Sequence, residues 1–398
     1  MIPLCLSHFT ASSCLGCGLE ATLTALQQHR GGLTPCHFET VDDLETHLGI
    51  VPQVDEVPLP ASLAEYDCRN NRLAFLGLKQ DDFSAAVSGA IARYGRRRVG
   101  ILLGTSTAGI LQTEQAYRRR DPHTGALPDD LLYRTTHNTY SVVSFVRAYF
   151  RLEGPAVVVS TACSSSAKVF AAAARMLATG VIDAAIVGGV DSLCLTTLYG
   201  FNSLELLSAE PCRPYDADRN GLSIGEAAAF VLLERPGSSH DASTVLLLGT
   251  GESSDAYHMS APHPDGLGAQ LAMAAALRSA GLQAADIDYI NLHGTATPSN
   301  DATEGKAVMA LFGGRTPCSS VKGATGHSLG AAGGLEAVIS ALALQHAFLP
   351  GGVNTLHLDP AIHIHYLTAN RNTAPRRVMS NSFGFGGTNC SLVLGRAG

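Results

Sequence analysis

The chain alternates short runs of β-branched residues with alanine-rich stretches, and this pattern constrains the fold more than any other feature. The short runs have the length and composition of buried strands, and the alanine-rich stretches have the length of helices. Strands are predicted at 98–103, 156–160, 184–188, 228–234, 244–249, 289–292, 378–381 and 391–395. Helices are predicted at 19–29, 84–94, 164–179, 267–280, 303–312 and 331–346. Strands that alternate with helices indicate an α/β protein.

A polar segment at 235–242, RPGSSHDA, separates two parts that each contain strands and helices of similar size. The chain has 398 residues, more than most single domains. We therefore predict two halves, residues 1–242 and 243–398, consistent with an internal duplication. Charged residues make up only 15% of the chain and apolar residues 46%, so the fold needs a large buried core and disorder is excluded.

The sequence shows no targeting or membrane-spanning segment. No basic region precedes the first apolar stretch, and the most apolar window, 184–201, is interrupted by Asp191. We therefore expect a cytoplasmic protein whose ten cysteines stay reduced. Cys14 and Cys17 form a CxxC pair without a second ligand pair, so we predict no metal site. The net charge of −7 does not favour binding to nucleic acid.

Cys163 is the first candidate for a functional residue. It lies in PAVVVSTACSSSAK, between a predicted strand and a predicted alanine-rich helix. Amides and the dipole at a helix N-terminus stabilise a thiolate, so we expect a lowered pKa and a covalent nucleophile. A buried structural cysteine is the common alternative, and this stretch alone leaves both interpretations open.

Two histidines and a lysine lie in turn-rich segments of the C-terminal half. His293 follows a predicted strand in INLHGTATPSND, and Lys322 and His327 lie in VKGATGHSLG before a helix that carries Glu336. A histidine at a strand end can donate a hydrogen bond to a carbonyl or carboxylate group of a ligand. Each histidine alone is more often structural. Together with Cys163, however, the set favours catalysis.

The glycine-rich segment 383–389, FGFGGTN, lies between two predicted strands near the C-terminus. Glycines at this density let backbone amides approach a ligand oxygen, and such an amide could form an oxyanion hole with the amide of Cys163. A dinucleotide site is not predicted, because no helix follows and no acidic residue lies about 20 residues further on.

Taken together, these segments resemble the β-ketoacyl-[acyl carrier protein] synthases, the elongating condensing enzymes of type II fatty-acid and polyketide synthesis. The resemblance extends over nearly the whole chain. It is carried by TACSSS at 161–166, RPYDADRNG at 213–221, SSDAYHMSAP at 253–262, HGTATPSND at 293–301, KGATGHSLGAAGG at 322–334 and NSFGFGGTN at 381–389. The resemblance implies a thiolase-like five-layer αβαβα fold built from two similar halves, and a tight dimer.

The resemblance also implies a mechanism. Cys163 would take an acyl chain from its donor carrier as a thioester, with the amides of Cys163 and Phe385 holding the thioester oxygen. His293 and His327 would bind the thioester carbonyl of a malonyl group and assist its decarboxylation. The resulting enolate would attack the acyl thioester and give a β-ketoacyl product two carbons longer.

Supporting roles follow from the same resemblance. Lys322 would pair with Glu336 and tune the electrostatics of the histidines and the cysteine. Asp301 and the hydroxyls of Thr295 and Thr297 would surround the malonyl group and the pantetheine arm.

Further residues are implied around the acyl pocket and the carrier. Phe383 resembles the gating phenylalanine of the family and would act beside Phe385. Thr107 falls where many members carry a larger apolar residue, which predicts an acyl pocket of different depth. Arg69 and Arg72 fall where the family has basic residues near the carrier-binding mouth. Carriers are acidic and this chain is also net negative, so docking requires a local basic patch.

The implied partners are an acyl carrier protein and a second subunit, in a homodimer or a heterodimer with a synthase-like chain. Phosphopantetheine would arrive on the carrier, and no tightly bound cofactor or metal is expected. The segments CRNNRL, GTSTAGI and STACSSSAK are most similar to the aryl-polyene branch of condensing enzymes.

Two other functions share this fold. A degradative thiolase would need a second catalytic cysteine near the C-terminus, where Cys390 follows Asn389 at the start of a predicted strand. A chain-length-determining partner subunit would resemble a synthase but lack the nucleophile. The presence of Cys163, His293 and His327 favours the synthase over both.

Overall fold

The fold is described by a computed structural model that covers residues 1–41, 43–237 and 244–397. The strands are β1 Leu4–Ser13, β2 Gly16–Cys17, β3 Thr34–Pro35, β4 His47–Gly49, β5 Val99–Gly104, β6 Ala156–Val159, β7 Ala184–Asp191, β8 Ile224–Gly225, β9 Ala227–Glu234, β10 Val245–Ser254, β11 Tyr289–Asn291, β12 Pro317–Ser319, β13 His365–Tyr366, β14 Arg377–Gly384 and β15 Thr388–Arg396. The predicted boundary between residues 242 and 243 lies outside the described residues.

The α-helices are α1 Leu19–Gln27, α2 Arg69–Leu78, α3 Phe83–Tyr94, α4 Ile110–Arg118, α5 Ser141–Phe150, α6 Ser165–Ala178, α7 Leu195–Ser203, α8 Leu267–Ala280, α9 Pro298–Phe312, α10 Lys322–Thr325 and α11 Ala332–His346. Short 3-10 helices lie at Val54–Glu56, Ala61–Tyr66, Ala284–Asp286, Leu329–Ala331 and Phe385–Gly387. Among the described residues, none of the helices is both long and apolar enough to cross a membrane.

The main strands form two sheets with the same topology. In the N-terminal half the order is β6-β5-β7-β9-β1, with β6, β5 and β7 parallel and β9 antiparallel to both of its neighbours. In the C-terminal half the order is β12-β11-β14-β15-β10, with the same parallel and antiparallel pairings and with β13 added at the edge. The two sheets meet where β1 pairs with β10. This repeated topology confirms the prediction of two similar halves.

The helices and the two sheets stack in five layers. Helices α2, α3 and α5 pack on the outer face of the N-terminal sheet, and α8 and α9 cover the outer face of the C-terminal sheet. Helices α6 and α11 lie between the sheets and contact strands of both. Helix α11 is buried on all sides from Ala332 to Leu344 and is mostly apolar, as expected for a helix in a central layer. The predicted thiolase-like αβαβα architecture is therefore confirmed.

Candidate active site

Cys163 lies in the short turn that joins β6 to α6, and its side chain is buried. Ala162, immediately before it, has a left-handed backbone with φ 50°, so the chain reverses sharply at this point. The hydroxyl of Ser165 fixes the turn, because it donates to the carbonyl of Ala162 at 2.6 Å and accepts from the amide of Thr161 at 2.8 Å. The turn therefore presents Cys163 at the start of a helix, as the sequence predicts.

His327 contacts the nucleophile directly. Its Nε2 atom lies 2.9 Å from the Sγ atom of Cys163. The backbone of His327 is bound on both sides, since its amide donates to Ser223 and its carbonyl accepts from Gly225, at 2.7 and 3.0 Å. The imidazole is thus held by its backbone in a position to exchange a proton with the thiol.

His293 faces His327 across the site, with ring centroids 5.3 Å apart and ring planes at 84°. It lies just beyond β11, and its amide and that of Gly294 donate to the carboxylate of Glu304 on α9, at 2.9 and 2.8 Å. Glu304 is buried, and sequence reasoning did not single it out. A signal that could have found it is its position in the sequence, three residues after Asp301 and just beyond the segment HGTATPSND.

Lys322 and Glu336 form the predicted ion pair, with both side chains nearly inaccessible to solvent. The ammonium group also donates to the carbonyl of His293 at 2.6 Å and lies 3.4 Å from its Nδ1 atom. One fixed positive charge therefore lies against the histidine pair, close enough to influence the thiol.

Burial dominates the electrostatics of the three reactive groups. It raises the pKa of the Cys163 thiol to about 11, which the charge of Lys322 and the amides of Phe385 and Cys163 counter only in part. Burial also holds the pKa values of His293 and His327 well below their ordinary range, and Lys322 lowers them further. The expectation of a lowered thiol pKa is thus wrong for the resting site, because desolvation outweighs the helix terminus. Thiol and imidazoles are neutral at pH 7.

This neutral pairing predicts how alkylation of Cys163 depends on pH. Because the pKa of the thiol is raised to about 11, the thiolate fraction and the iodoacetamide rate should rise about tenfold per unit from pH 7 to 10. Mass spectrometry of the Cys163 peptide measures this rate, with the half-buried Cys36 as an internal reference. A rate that levels off near pH 7 would instead indicate a thiolate–imidazolium pair.

A cleft opens onto these groups. Besides Cys163 and the two histidines, its lining includes Phe201 of α7, Asn300 of α9, Phe383 at the end of β14, and Thr295, Thr297, Ser260 and Phe385. The ring of Phe383 lies 6.1 Å from that of His293, and the ring of Phe385 packs against Phe201 at 5.7 Å. The predicted gating residues therefore lie at the reactive centre.

The two amides of the predicted oxyanion hole lie close enough to the sulfur atom of Cys163 to influence its pKa. The N–H groups of Phe385 and Cys163 both act on the thiol and lower its pKa. Gly386, next to Phe385, has φ 80°, a left-handed conformation that favours glycine in this loop. A carbonyl oxygen that takes the place of the sulfur as their acceptor would receive two hydrogen bonds.

Thr295 and Thr297 lie in the loop after His293, and Asp301 lies in the first turn of α9 that follows it. The two threonine hydroxyls lie 2.9 Å apart and line the cleft. The carboxylate of Asp301 is fully buried and accepts from the amides of Tyr215 and Ala296, at 2.7 and 3.2 Å. Asp301 thus holds the loop from behind and does not line the cleft.

Thr107, for which the resemblance implies a place at the acyl pocket, is bound to a buried acid. Its hydroxyl and its amide both donate to the carboxylate of Asp191 at 2.8 Å, and the residue is fully buried. It is not among the residues that line the cleft at Cys163. Its hydroxyl donates to the buried carboxylate of Asp191. The prediction that Thr107 gates the acyl pocket therefore has no support in this geometry.

Arg69 does not form part of a docking surface. Its guanidinium is buried and contacts both oxygens of Glu226 at 2.6 and 2.9 Å, and Asp55 at 2.5 Å. Arg72 is half-buried and binds Asp67 with two nitrogens, at 2.5 and 2.7 Å. The predicted role of Arg69 in carrier docking is therefore wrong, and the charge of Arg72 is already paired.

Replacing Arg69 with alanine should destabilise the fold by about 3 kcal/mol. The substitution leaves Glu226 buried without its cation, although the amides of Val51 and Leu193 still donate to it at 2.9 and 3.0 Å. Arg72→Ala is the matched control, expected to cost less than about 1 kcal/mol because its ion pair is partly exposed. Denaturant unfolding measures both values, and equal costs for the two variants would contradict this assignment.

The donor atoms of Cys163, His293 and His327 lie within 4.8 Å of one another, a spacing from which a metal ion could be bound. The ammonium group of Lys322, 3.4 Å from Nδ1 of His293, opposes a cation and favours an anion at this position. Cys390, the residue that a thiolase mechanism would need, is buried in β15 and does not line the cleft.

Two domain models of one protein family match this chain. The N-terminal domain of β-ketoacyl synthases matches residues 85–237, and the C-terminal domain matches residues 245–356. The chain is 40% identical to the mitochondrial 3-oxoacyl-[acyl-carrier-protein] synthase of Arabidopsis thaliana, over 62% of this chain and 57% of that protein. The chain thus spans less than three fifths of the length of that relative.

Two further comparisons cover more of the chain. A 3-oxoacyl-[acyl-carrier-protein] synthase 2 of Coxiella burnetii is 35% identical, over 75% of both chains. The structure of the ketosynthase ApeO in complex with its chain length factor ApeC, from Xenorhabdus doucetiae, contains a similar chain with 38% identity and a TM-score of 0.90. That match covers 100% of this chain and 98% of the other. Sequence, topology and site geometry agree, and the chain belongs to the β-ketoacyl synthase family.

Proposed function

We propose that the protein is a β-ketoacyl-[acyl carrier protein] synthase, an acyltransferase that condenses malonyl-carrier with an acyl group held on Cys163. The observation that carries this proposal is the contact of 2.9 Å between Sγ of Cys163 and Nε2 of His327, with His293 opposite and Lys322 behind it. A chain-length-determining subunit without a nucleophile would not need this set, and it is not the function that the geometry favours.

Acylation begins with the neutral thiol. Cys163 gives its proton to Nε2 of His327, and its sulfur attacks the thioester carbonyl of the acyl donor. The negative charge that forms on the carbonyl oxygen is held by the amides of Cys163 and Phe385. When the intermediate collapses, the new sulfur–carbon bond remains, the bond to pantetheine breaks, and the departing thiolate takes the proton from His327.

Condensation uses both histidines as hydrogen-bond donors. Because their pKa values are well below the ordinary range, both imidazoles are neutral, and each has one N–H. His327 can bind the malonyl thioester oxygen when that proton is on Nε2, the atom that faces Cys163. The bond to the carboxylate breaks, carbon dioxide leaves, and its electron pair forms the enolate. The enolate carbon then attacks the acyl thioester, a carbon–carbon bond forms, and the Cys163 thiolate leaves and is protonated from solvent.

We infer the following partners from the site and the relatives. The substrates arrive on phosphopantetheine arms of an acyl carrier protein, and no cofactor is tightly bound. A synthase-like second subunit completes a dimer, as the ApeO–ApeC complex suggests for this chain. We assign the chain to the aryl-polyene branch on the three segments named above, and we place the reaction in the cytoplasm, where its ten free thiols would stay reduced.

The test of this proposal follows the acyl group. The protein is incubated with acyl-carrier donors of several lengths, with and without a synthase-like subunit, and the Cys163 peptide is examined by mass spectrometry. Malonyl-carrier is then added, and the carrier is analysed for a β-ketoacyl product. An acyl mass on Cys163 followed by that product supports the proposal. Absence of the acyl group from Cys163 with every donor would overturn it.

A further inference from the structure

One segment, residues 212–223, contacts both histidine loops although it lines little of the cleft. Cys212, at the start of the segment, donates from its thiol to the carbonyl of Lys322 at 3.2 Å. Ser223, at its end, accepts with its carbonyl from the amide of His327 at 2.7 Å. Between these contacts, Tyr215 reaches the helix behind His293. The segment therefore links loops that come from different strands, and the mechanism above assigns it no role.

Tyr215 is the residue of this segment with the most unusual conformation. It is fully buried, and its backbone is left-handed with φ 63°. For a bulky side chain such a backbone is rare, and it persists only where the surroundings impose it. Here it directs two donors toward α9, because the amide reaches Asp301 at 2.7 Å and the hydroxyl reaches Glu304 at 3.0 Å.

Glu304 connects Tyr215 to the backbone of His293. The oxygen that accepts from the Tyr215 hydroxyl also accepts from the amide of Gly294 at 2.8 Å, and the other oxygen accepts from the amide of His293 at 2.9 Å. The ring of Tyr215 also lies against Gly294, where a Cβ atom would be only 3.1 Å from it. The hydroxyl and the ring thus both restrict the His293 loop.

We propose that Tyr215 is a positioning residue for the malonyl half-reaction, in which it fixes His293 through Glu304. The inference rests on the proposed function and deepens it. Acylation of Cys163 uses His327, whose ring contacts Cys163 and whose backbone is held by Ser223 and Gly225 rather than by Glu304. Loss of the Tyr215 hydroxyl should therefore lower the rate of decarboxylation and leave the rate of acylation nearly unchanged.

The protonation of Glu304 provides a second readout. Burial raises the pKa of Glu304, and the amides of Gly294 and His293 together with Asn381 counter this rise. The titratable groups that face it are Tyr215, Asp301, Cys318 and Glu336. Without the Tyr215 hydroxyl the carboxylate loses one donor, so its pKa should rise further. The decarboxylation rate should then begin to fall at a higher pH as the solution is acidified, because a protonated Glu304 cannot accept all these hydrogen bonds. We call this low-pH side of the pH–rate profile its acid limb.

The test compares Tyr215→Phe with Tyr289→Phe in the full-length protein. Tyr289 is an equally buried tyrosine on β11 whose hydroxyl binds Ser319 and Pro350, at 2.6 and 3.3 Å, and makes no contact with Glu304. We expect Tyr215→Phe to lower kcat for malonyl-carrier decarboxylation roughly tenfold or more. Its rate of Cys163 acylation should stay within about twofold of the unmodified protein. Tyr289→Phe should change neither rate nor the pH profile.

Three results would settle the inference. A selective loss of decarboxylation with a shifted acid limb supports it. A Tyr215→Phe protein that matches Tyr289→Phe in both half-reactions, or that loses both equally, overturns it while the proposed function stands. An unmodified protein that performs neither half-reaction overturns both.

Discussion

Cys163→Ala is expected to abolish condensation, with a loss on the order of 10⁴-fold or more. The variant lacks the sulfur that lies 2.9 Å from Nε2 of His327, so no acyl thioester can form on residue 163. His293, His327 and Lys322 are unchanged in this variant. Malonyl decarboxylation should therefore persist, and the released enolate should be protonated to acetyl-carrier because it has no acyl group to attack.

Product analysis by mass spectrometry distinguishes condensation of the enolate from its protonation. In the variant, carbon dioxide and acetyl-carrier should appear while β-ketoacyl-carrier does not. Cys390→Ala provides the matched control, since it also removes a buried free thiol but lies outside the cleft. Condensation that survives in Cys163→Ala would contradict the covalent mechanism, and loss of decarboxylation as well would place Cys163 in the malonyl site.

Lys322→Met is expected to produce the largest loss of stability and a second large loss of activity. The substitution leaves Glu336 buried without its cation, which should cost about 3–5 kcal/mol of unfolding free energy. It also removes the charge that lowers the pKa values of Cys163 and of both histidines. Acylation should slow at least about tenfold, because the pKa of the thiol rises further above neutrality.

The sign of the pH dependence follows from Glu336. Burial raises the pKa of this carboxyl to about 7 even with Lys322 beside it, and without the ammonium it rises further. A protonated Glu336 needs no cation, so the stability difference between Lys322→Met and the unmodified protein should be smaller below pH 7 and widen above it. Denaturant unfolding at pH 6 and pH 8 measures this difference.

A double variant separates stability from catalysis. Lys322→Met combined with Glu336→Met replaces the buried ion pair with apolar side chains, a change that often restores stability. It does not restore the positive charge at the histidines. We therefore expect an unfolding free energy close to that of the unmodified protein and little condensation activity. A double variant that recovers both would show that Lys322 acts only by stabilising the fold.

The sequence predicts the parts of this structure whose signals are local. The alanine-rich helix after Cys163 and the strand before His293 are recognisable because their apolar residues cluster. Strand β1 and helix α2 are not among the predicted elements. The sequence of α2, RNNRLAFLGL, begins with four polar residues that a helix on the surface would expose, yet Arg69, Asn70 and Asn71 are buried under loops.

The same limit explains the errors at the site. The position of Arg69 in the sequence suggests a free surface charge, but its partner Glu226 lies 157 residues away and becomes visible only in the fold. Thr107 is likewise bound to Asp191, 84 residues further on. For Cys163 the helix terminus is a local signal, whereas the desolvation that raises its pKa comes from the whole surrounding core.

The repeated topology of the two sheets has a consequence for how the catalytic set is divided. In each half the third strand, β6 or β12, precedes the central helix, α6 or α11, and in the C-terminal half α10 and a short 3-10 helix lie between them. Cys163 lies in the first of these two connections, and Lys322 and His327 lie in the second. Matching connections of the two halves thus carry the proposed nucleophile and the proposed base. Catalysis depends on the two halves facing each other, and neither half by itself carries a complete reaction centre.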